Sequence, residues 1–155
     1  MRIRIVSLGQ RLPGWIHQGT AEYLDRLPRD WPVDLIELKP EPRTHGKNIP
    51  QILAQEACRV LIASEGATRI VLDERGQSWT TRQLADHMAQ WRLSARDVAL
   101  IIGSADGLDA SVKKKADEMW SLSPLTLPHG IVRVVLAEQI YRAISLLNHH
   151  PYHRE

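Results

Sequence analysis

The sequence predicts an α/β fold in which a mainly parallel sheet carries helices on both faces. This prediction depends first on alternation, since five strand-like segments are interleaved with five helix-like segments along the chain. It depends second on length, because 155 residues are enough for one domain with a proper core and too few for two ordinary domains. We therefore expect a single domain over residues 1–155, with its ligand site at the carboxyl ends of the strands.

The first half of the chain begins with the strand Ile3 to Leu8. Apolar residues at helical spacing then predict a helix from Pro13 to about Leu27. Val33 to Leu38 is the second strand, introduced by a Trp-Pro pair, and Gln51 to Ser64 is the second helix.

An irregular loop is predicted between these last two elements, from Pro40 to Pro50. Three prolines and a glycine exclude regular structure there, and the loop also carries Arg43, His45 and Lys47. Two interpretations stay open: the loop is a solvated connection, or it becomes ordered on RNA or another ligand.

The second half of the chain continues the alternation. Arg69 to Asp73 is a strand, and Thr80 or Thr81 can cap a helix that runs to about Trp91. The remaining elements are the buried strand Asp97 to Ile102, a helix from Asp109 to Trp120, the strand Leu122 to Leu127, and a last helix from Ile131 to about Leu147. Because Pro124 cannot donate to a ladder, the strand that contains it must be bulged or lie at an edge.

Composition and charge narrow the class of protein. A formal net charge of +2 permits an anionic partner without demonstrating one. The start of the chain lacks the apolar stretch of a signal peptide, and no window suits a membrane span, so we expect a cytoplasmic protein without membrane contact. Cys58 is the single cysteine, which excludes an intrachain disulfide, and its apolar surroundings predict a buried thiol.

Three segments are predicted to meet at the carboxyl edge of the sheet: Leu72-Asp73, Ile102-Gly103 and Leu127-Pro128. Gly103 and Gly107 let the backbone turn tightly and approach a ligand. This turn matches neither the dinucleotide fingerprint nor the Walker motif, and an ordinary strand-to-helix turn explains it equally well.

The C-terminal helix and tail concentrate chemically active side chains. Glu138 and Arg142 lie four positions apart on one helical face, which in isolation is an ordinary ion pair. The segment His150 to Arg154, however, combines groups that bind phosphate, stack on bases and exchange protons near neutrality. We therefore predict that function extends to the last residues of the chain, with His129 at the other end of the helix as a further candidate.

Several stretches together resemble one family. They are Pro13-x-Trp15, the GKN of the Pro40 to Pro50 loop, LDERGQSW, LIIGSADG, WSLSPLTLPH, VRVVLAEQIYRA and the terminal HHPYHRE. On these stretches, which span essentially the whole chain, the sequence resembles the ribosomal RNA large subunit methyltransferase H family of the SPOUT superfamily. The run from WSLSPLTLPH to HPYHRE is highly specific, whereas the GSADG turn is not.

The resemblance implies a deep trefoil knot in the C-terminal segment and a homodimer with active sites at the subunit interface. It also implies S-adenosylmethionine as methyl donor and, as substrate, a pseudouridine of 23S rRNA in the ribosome, methylated at N3. Ser104 departs from the family, which usually has a second glycine there, and its side chain can shift the affinity for the donor. The implied donor-binding residues are Leu72, Gly103, Gly107, Leu122, Ser123, Pro124, Leu125, Thr126 and Leu127.

The implied reaction suggests roles for the C-terminal side chains. N3–H of pseudouridine is an imide proton that is mostly retained at neutral pH, so the site must help to remove it. No metal is expected, because the leaving group is a neutral thioether and the histidines lack a ligand spacing. The catalytic candidates are Glu138 or His153 as base, Tyr152 for stacking on the base, and Arg142, Arg154 or His129 to stabilise the anion or bind a phosphate.

Two other classes of protein stay open on the residues alone. A non-catalytic α/β module that binds RNA or the ribosome predicts basic groups on a face without a cofactor pocket. A nucleotide-binding α/β protein is disfavoured, because both common phosphate-binding motifs are missing.

Overall fold

The computed structural model describes residues 1–44 and 46–154, and within them five strands alternate strictly with five helices. The α/β class predicted from the sequence is confirmed. His45 of the predicted loop and the C-terminal Glu155 lie outside the described residues. Across the described chain, none of the helices is both long and apolar enough to cross a membrane.

All five strands are parallel, in the order β2-β1-β4-β3-β5, so their carboxyl ends share one edge of the sheet. The strands are β1 (Ile3–Leu8), β2 (Val33–Leu38), β3 (Thr68–Ser78), β4 (Val98–Ile102) and β5 (Glu118–Ser121). The helices are α1 (Gly14–Leu24), α2 (Ile49–Ala63), α3 (Thr81–Ser94), α4 (Ala110–Lys114) and α5 (His129–Leu147).

Alternate side chains of the central strands build a hydrophobic core on each face of the sheet. Ile5 of β1 and Leu100 of β4 are paired in register and point to the core that α3 and α5 cover. Val6 and Ile101, one position farther along, point to the opposite core, which α2 and α4 cover. The helices therefore lie on both faces of the sheet, as predicted.

Side-chain caps fix the starts of two helices. The Thr80 hydroxyl accepts a hydrogen bond from the Gln83 amide, and the Gln83 side chain accepts one from the Thr80 amide, which decides between the two predicted caps of α3. Asn48 and Gln51 make the same reciprocal pair at α2. Helix α2 therefore begins at Ile49, slightly earlier than predicted.

Two predictions around β5 are wrong. Asp109 to Trp120 is not one helix, because α4 ends at Lys114 and Glu118–Ser121 pairs with β3, so that sheet pairing overrides the helical spacing. Leu122 to Leu127 is consequently not a strand. Proline at 124 cannot donate to a ladder, and the Ser123 hydroxyl accepts the Leu125 amide in a local turn instead.

The predicted burial of Cys58 is also wrong. Its neighbours Ala57 and Val60 point into the core, and the rotation of α2 places Cys58 on the exposed side.

Helix α5 is fixed to the sheet by Arg133, whose side chain is 0% exposed. Its guanidinium donates to Glu37 Oε2 at 2.8 Å, to Ser7 Oγ at 2.8 Å and to the Gly9 carbonyl at 3.0 Å. A buried charge is tolerated only where partners satisfy it, and these acceptors lie at the carboxyl ends of β1 and β2. Arg133 therefore sets where α5 crosses the edge of the sheet.

We expect the substitution Arg133→Ala to reduce the free energy of unfolding by about 3 kcal/mol, because it leaves a carboxylate and two further acceptors without their donor. Urea unfolding followed by circular dichroism measures the change. Arg2→Ala is the control: it breaks the exposed Arg2–Asp34 pair and should cost far less. Equal losses in the two variants would contradict the special position of Arg133.

Candidate functional site

A cavity of about 650 Å³ opens at the carboxyl edge of the sheet, where the strand ends were predicted to meet. Pockets for small molecules have volumes of about 300–1,000 Å³, so this one can hold a cofactor-sized ligand. Of the predicted donor-binding residues, Leu72, Gly103, Gly107, Leu122, Ser123, Leu125, Thr126 and Leu127 line the cavity, and Pro124 is not among its lining residues. Their role in binding stays a prediction.

The turn after β4 forms one wall of the cavity and passes close to itself. A Cβ on Gly103 would lie 2.8 Å from the carbonyl carbon and oxygen of Gly107, so a larger residue would force the turn to shift. The Gly107 amide donates to the Ser104 carbonyl at 2.9 Å, and Gly107 has a φ of 87°, which glycine adopts without strain. Gly103 is therefore required by space and Gly107 by its backbone angle. The turn that they permit brings main chain into the cavity wall.

A second wall comes from a bulge in β3. Leu72 and Gln77 both pair with Trp120 of β5, so residues 73–76 leave the ladder. The side chains of residues 73–75 consequently line the cavity instead of continuing the alternation of the strand.

The bulge is held by contacts on both sides. Asp73 Oδ2 lies 2.9 Å from Lys113 Nζ of α4, and Asp73 Oδ1 accepts the Arg75 amide at 2.8 Å. Burial alone would raise the pKa of Asp73, but these two donors outweigh it and lower the pKa. On the other side, Thr126 Oγ1 donates to Glu74 Oε2 at 2.6 Å. The bulge is thereby joined to α4 and to the segment before α5.

His129 is the predicted catalytic residue that lines the cavity. Its ring lies against Gly9, where an added Cβ would come within 3.2 Å of His129 Cε1, and its Nδ1 is buried without a hydrogen-bond partner among the described residues. Burial, followed by the positive charges of Arg133 and Arg43, lowers the pKa of His129. Its imidazole is therefore neutral at pH 7 and can stabilise an anion by donating a hydrogen bond rather than as a cation.

Four other catalytic candidates form a tail cluster, made of Glu138, Arg142, Tyr152 and His153. Arg142 Nε donates to Glu138 Oε1 at 2.8 Å, and Arg142 Nη1 donates to the His153 carbonyl at 3.1 Å. The Tyr152 hydroxyl donates to the same Glu138 oxygen at 3.2 Å, and the Arg142 guanidinium carbon lies 4.9 Å from the centre of the Tyr152 ring. The tail is thus folded back onto α5.

The tail cluster and the cavity are separate sites within one chain. Glu138 follows Val132, the last residue of α5 that lines the cavity, by six positions (138 − 132), which at 1.5 Å per residue is about 9 Å along the helix axis. No member of the tail cluster lines the cavity, and Arg154 is exposed beyond the cluster. The structure therefore gathers the candidates into two groups rather than one.

Residues 1–153 match the profile of a protein family described as “Predicted SPOUT methyltransferase”. The chain belongs to the SPOUT methyltransferase family. The resemblance inferred from the sequence is thereby confirmed. Proteins called ribosomal RNA large subunit methyltransferase H are similar over the full length: one from Methylobacillus flagellatus is 51% identical over 155 residues, and one from Laribacter hongkongensis is 47% identical over 156 residues, each match covering 100% of both chains.

Two solved structures share the fold of the family. The crystal structure of a tRNA (m1G37) methyltransferase from Aquifex aeolicus aligns with a TM-score of 0.55 and 15% identity, covering 92% of this chain and 70% of that one. A Legionella pneumophila protein described as a methyltransferase, solved with the bound cofactor SAM, aligns with a TM-score of 0.51 and 13% identity, covering 93% and 66%. At these identities the likeness concerns the fold alone.

The cavity of this SPOUT family member also includes a residue that the sequence patterns do not single out. Lys113 is one of three consecutive lysines, and no spacing distinguishes it from the exposed Lys114 and Lys115. The packing of α4 beside the β3 bulge is what brings its Nζ to Asp73.

In residues 1–44 and 46–154, no group of three or more His, Cys, Asp or Glu side chains has the geometry to hold a metal ion.

The tail cluster predicts a loss of stability at alkaline pH. Burial, followed by the Glu138 carboxylate, raises the pKa of Tyr152 from 10.0 to about 12. The folded state therefore holds this proton more tightly than the unfolded state, so the stabilisation is complete below pH 10 and is lost as the pH rises towards 12. Denaturant unfolding over this pH range should show a steeper loss for the natural chain than for Tyr152→Phe.

Tyr141→Phe is the matched control, because the Tyr141 ring packs edge-on against Tyr152 with 4.6 Å between ring centres. This variant also lacks one tyrosine hydroxyl, yet it should keep the steep alkaline loss. Equal slopes for Tyr152→Phe and the natural chain would refute the raised pKa.

Proposed function

We propose that this chain transfers the methyl group of S-adenosylmethionine to N3 of a pseudouridine in the ribosomal RNA of the large subunit. The observation that carries the proposal is the cavity at the carboxyl edge of the sheet, lined by residues that the family resemblance assigns to the methyl donor. The relatives support the substrate class, because they are named as methyltransferases of large-subunit ribosomal RNA. The names do not specify the base or the atom that is methylated. The choice of pseudouridine and of its N3 atom is implied by the family resemblance of the sequence.

The chemistry of the cavity wall suits S-adenosylmethionine, which the Legionella pneumophila structure of the same fold contains. Leu72 and Leu127 give apolar surface for an adenine ring, and the irregular backbone of residues 122–127 offers amides and carbonyls outside any ladder. Asp73 and Lys113, which form an ion pair at 2.9 Å, place charges of both signs in the wall, and these can complement the ammonium and the carboxylate of this ligand.

When bound, S-adenosylmethionine supplies an electrophilic methyl group on a sulfonium, and a neutral thioether is left after transfer. The chain's part is to align N3 with that methyl group and to accept the imide proton. Glu138 and His153 are the candidate acceptors. Glu138 Oε1 accepts from Arg142 and Tyr152, so Oε2, which accepts from Gln139 at 2.7 Å, is the oxygen with room for a proton. His153 Nδ1, in contrast, is buried without a partner among the described residues.

We infer that a complete active site combines the cavity of one subunit with the tail cluster of its partner in a homodimer. The homodimer is what the family resemblance implies, and the structure supports a shared site because neither candidate base lines its own cavity. Glu138 lies six positions beyond Val132, the last cavity-lining residue of α5, which is about 9 Å along the helix axis. In this arrangement His129 would serve the donor side of the site, and Arg142 and Arg154 the RNA side. The C-terminal trefoil knot, the single domain over residues 1–155 and a cytoplasmic location on the assembled ribosome belong to the same proposal.

The alternative function is a non-catalytic module that binds RNA or the ribosome. It requires basic groups on a face without a cofactor pocket. The cavity of about 650 Å³ among the residues matched by the family favours the enzyme. Binding of S-adenosylmethionine separates the two functions directly.

Calorimetric titration should show that the purified chain binds S-adenosylmethionine and that Gly103→Ala binds it at least about 10-fold more weakly, a loss of about 1.4 kcal/mol. The reason is that the added Cβ would collide with the Gly107 carbonyl and displace the turn. Gly14→Ala is the control, because a Cβ there meets nothing within 4 Å and should leave binding unchanged. If the natural chain fails to bind the donor even with ribosomes present, the proposed enzyme is wrong.

Mixed dimers test the shared site. One chain carries Gly103→Ala and the other ends after His150, so each homodimer has either a damaged cavity or a missing tail. Co-expression should restore methyl transfer to ribosomes in part, because a mixed dimer contains one intact cavity facing one intact tail. The readout is incorporation of a radiolabelled methyl group into ribosomal RNA.

The control for this experiment pairs the Gly103→Ala chain with a chain that carries both changes, which offers no intact combination. Mixed dimers that form, as native mass spectrometry can show, and yet stay inactive would contradict the shared site. Full activity of the homodimer that ends after His150 would contradict a catalytic role for the tail.

A further inference from the structure

A buried carboxylate lies behind the turn 103–107, on the side away from the cavity. Glu56 of α2 is 1% exposed. Its Oε1 accepts a hydrogen bond from the Ser104 hydroxyl at 2.9 Å, and its Oε2 accepts one from the Glu41 amide at 3.0 Å. A carboxylate so removed from water needs both donors and a positive charge nearby.

Arg43 supplies that charge and joins α2 to the turn. Its Nη1 donates to Glu56 Oε2 at 2.8 Å, and its Nη2 donates to Ser104 Oγ at 2.8 Å. Its Nε donates to Asp106 Oδ2 at 3.2 Å. One guanidinium thus contacts a carboxylate on α2 and two side chains of the turn 103–107.

The same contacts order the segment before α2, for which the sequence left two interpretations open. Glu41 is held by ion pairs with Lys47, at 2.6 Å, and with Arg59. Because Arg43 lies between these anchored positions, the protein's own side chains fix its guanidinium in place. The described part of this segment is therefore held in place by ion pairs and hydrogen bonds, and it positions Arg43 against α2 and the turn.

Ser104 connects this support to the cavity. It lines the cavity beside Gly103, and its carbonyl accepts the Gly107 amide that closes the turn. Its hydroxyl, by contrast, points back to Glu56 and Arg43. The residue whose backbone shapes the cavity wall is thus the residue whose side chain is anchored on α2.

We propose that Glu56, Arg43 and Ser104 are positioning residues that hold the turn 103–107 in the conformation that receives S-adenosylmethionine. This inference rests on the proposed function, since it concerns the affinity of the same cavity for the methyl donor. A turn released from α2 has to be ordered again when the donor binds, and that ordering reduces the affinity. The serine at position 104 is then an anchor of the turn.

The chain offers a matched control outside the cavity. Ser64 is 0% exposed, accepts a hydrogen bond from Arg69 Nε at 2.8 Å and donates one to the Val60 carbonyl at 2.8 Å. It is a serine bound by an arginine, as Ser104 is, but it does not line the cavity. Ser64→Ala therefore removes a similar interaction without touching the turn.

The experiment compares the dissociation constant for S-adenosylmethionine, from calorimetry, with the melting temperature measured without it. Ser104→Ala and Glu56→Gln should each weaken binding by about 10-fold, the size expected when a hydrogen bond to a charged group is lost. The dissociation constant of the double variant should rise by much less than the product of the two single fold-changes, because both substitutions break the same network. Ser104→Thr keeps the hydroxyl and should restore most of the affinity.

Ser64→Ala should lower the melting temperature and leave the dissociation constant unchanged. If the natural chain binds the donor and Ser104→Ala binds it equally well, the positioning role is overturned while the proposed function stands. The role is also overturned if Ser64→Ala weakens binding as much as Ser104→Ala does. Should Glu56→Gln fail to fold, Ser104→Ala and its threonine counterpart still decide the question. Failure of the natural chain to bind the donor would instead remove the proposed function.

Discussion

The arrangement of the whole molecule depends on the buried guanidinium of Arg133. It joins α5 to the carboxyl ends of β1 and β2, through Glu37, Ser7 and the Gly9 carbonyl. Because His129 precedes it by one helical turn and the tail cluster follows it on the same helix, both groups of candidate residues take their positions from these bonds. The desolvation of the charge is offset by three acceptors, one of which, Ser7, is itself buried and depends on this donor.

The cavity is built where the chain leaves regular structure. Its walls include the bulge 73–76, the turn 103–107 and the segment 122–128, each of which follows a strand pairing that ends or is interrupted. In a ladder, backbone amides and carbonyls are used by neighbouring strands, whereas in these segments several are bound locally instead, as the Leu125 amide is by the Ser123 hydroxyl and the Gly107 amide by the Ser104 carbonyl. The cavity wall therefore combines irregular main chain with apolar side chains such as Leu72 and Leu127 and charged ones such as Asp73 and Lys113.

Much of the fold follows from local patterns, and the exceptions have physical causes. The bounds of β1 and β2 are as predicted, because short strand-like patterns there stop at Gly9 and at Lys39-Pro40. Strand β5 was missed because Glu118–Ser121 continues a helix-like pattern, and only its pairing with β3 distinguishes it. Leu72, Asp73, Ile102 and Gly103 could be placed at the cavity because parallel strands end at one edge, whereas the run 122–127 was assigned from the family resemblance and is not a strand. Glu56 could not be placed, since its role depends on how α2 packs against a distant turn.

The uninterrupted path of α5 from His129 to Glu138 makes the length of this segment a constraint in its own right. Each residue of an α-helix advances about 1.5 Å and turns about 100° around the axis. One residue inserted or deleted between Arg133 and Glu138 would hardly change the composition of this stretch, yet it would rotate the tail cluster by more than a quarter turn relative to Arg133 and the sheet. Substitutions on the solvent side of this stretch leave that angle unchanged. The number of residues in the stretch is therefore constrained more strictly than their identity.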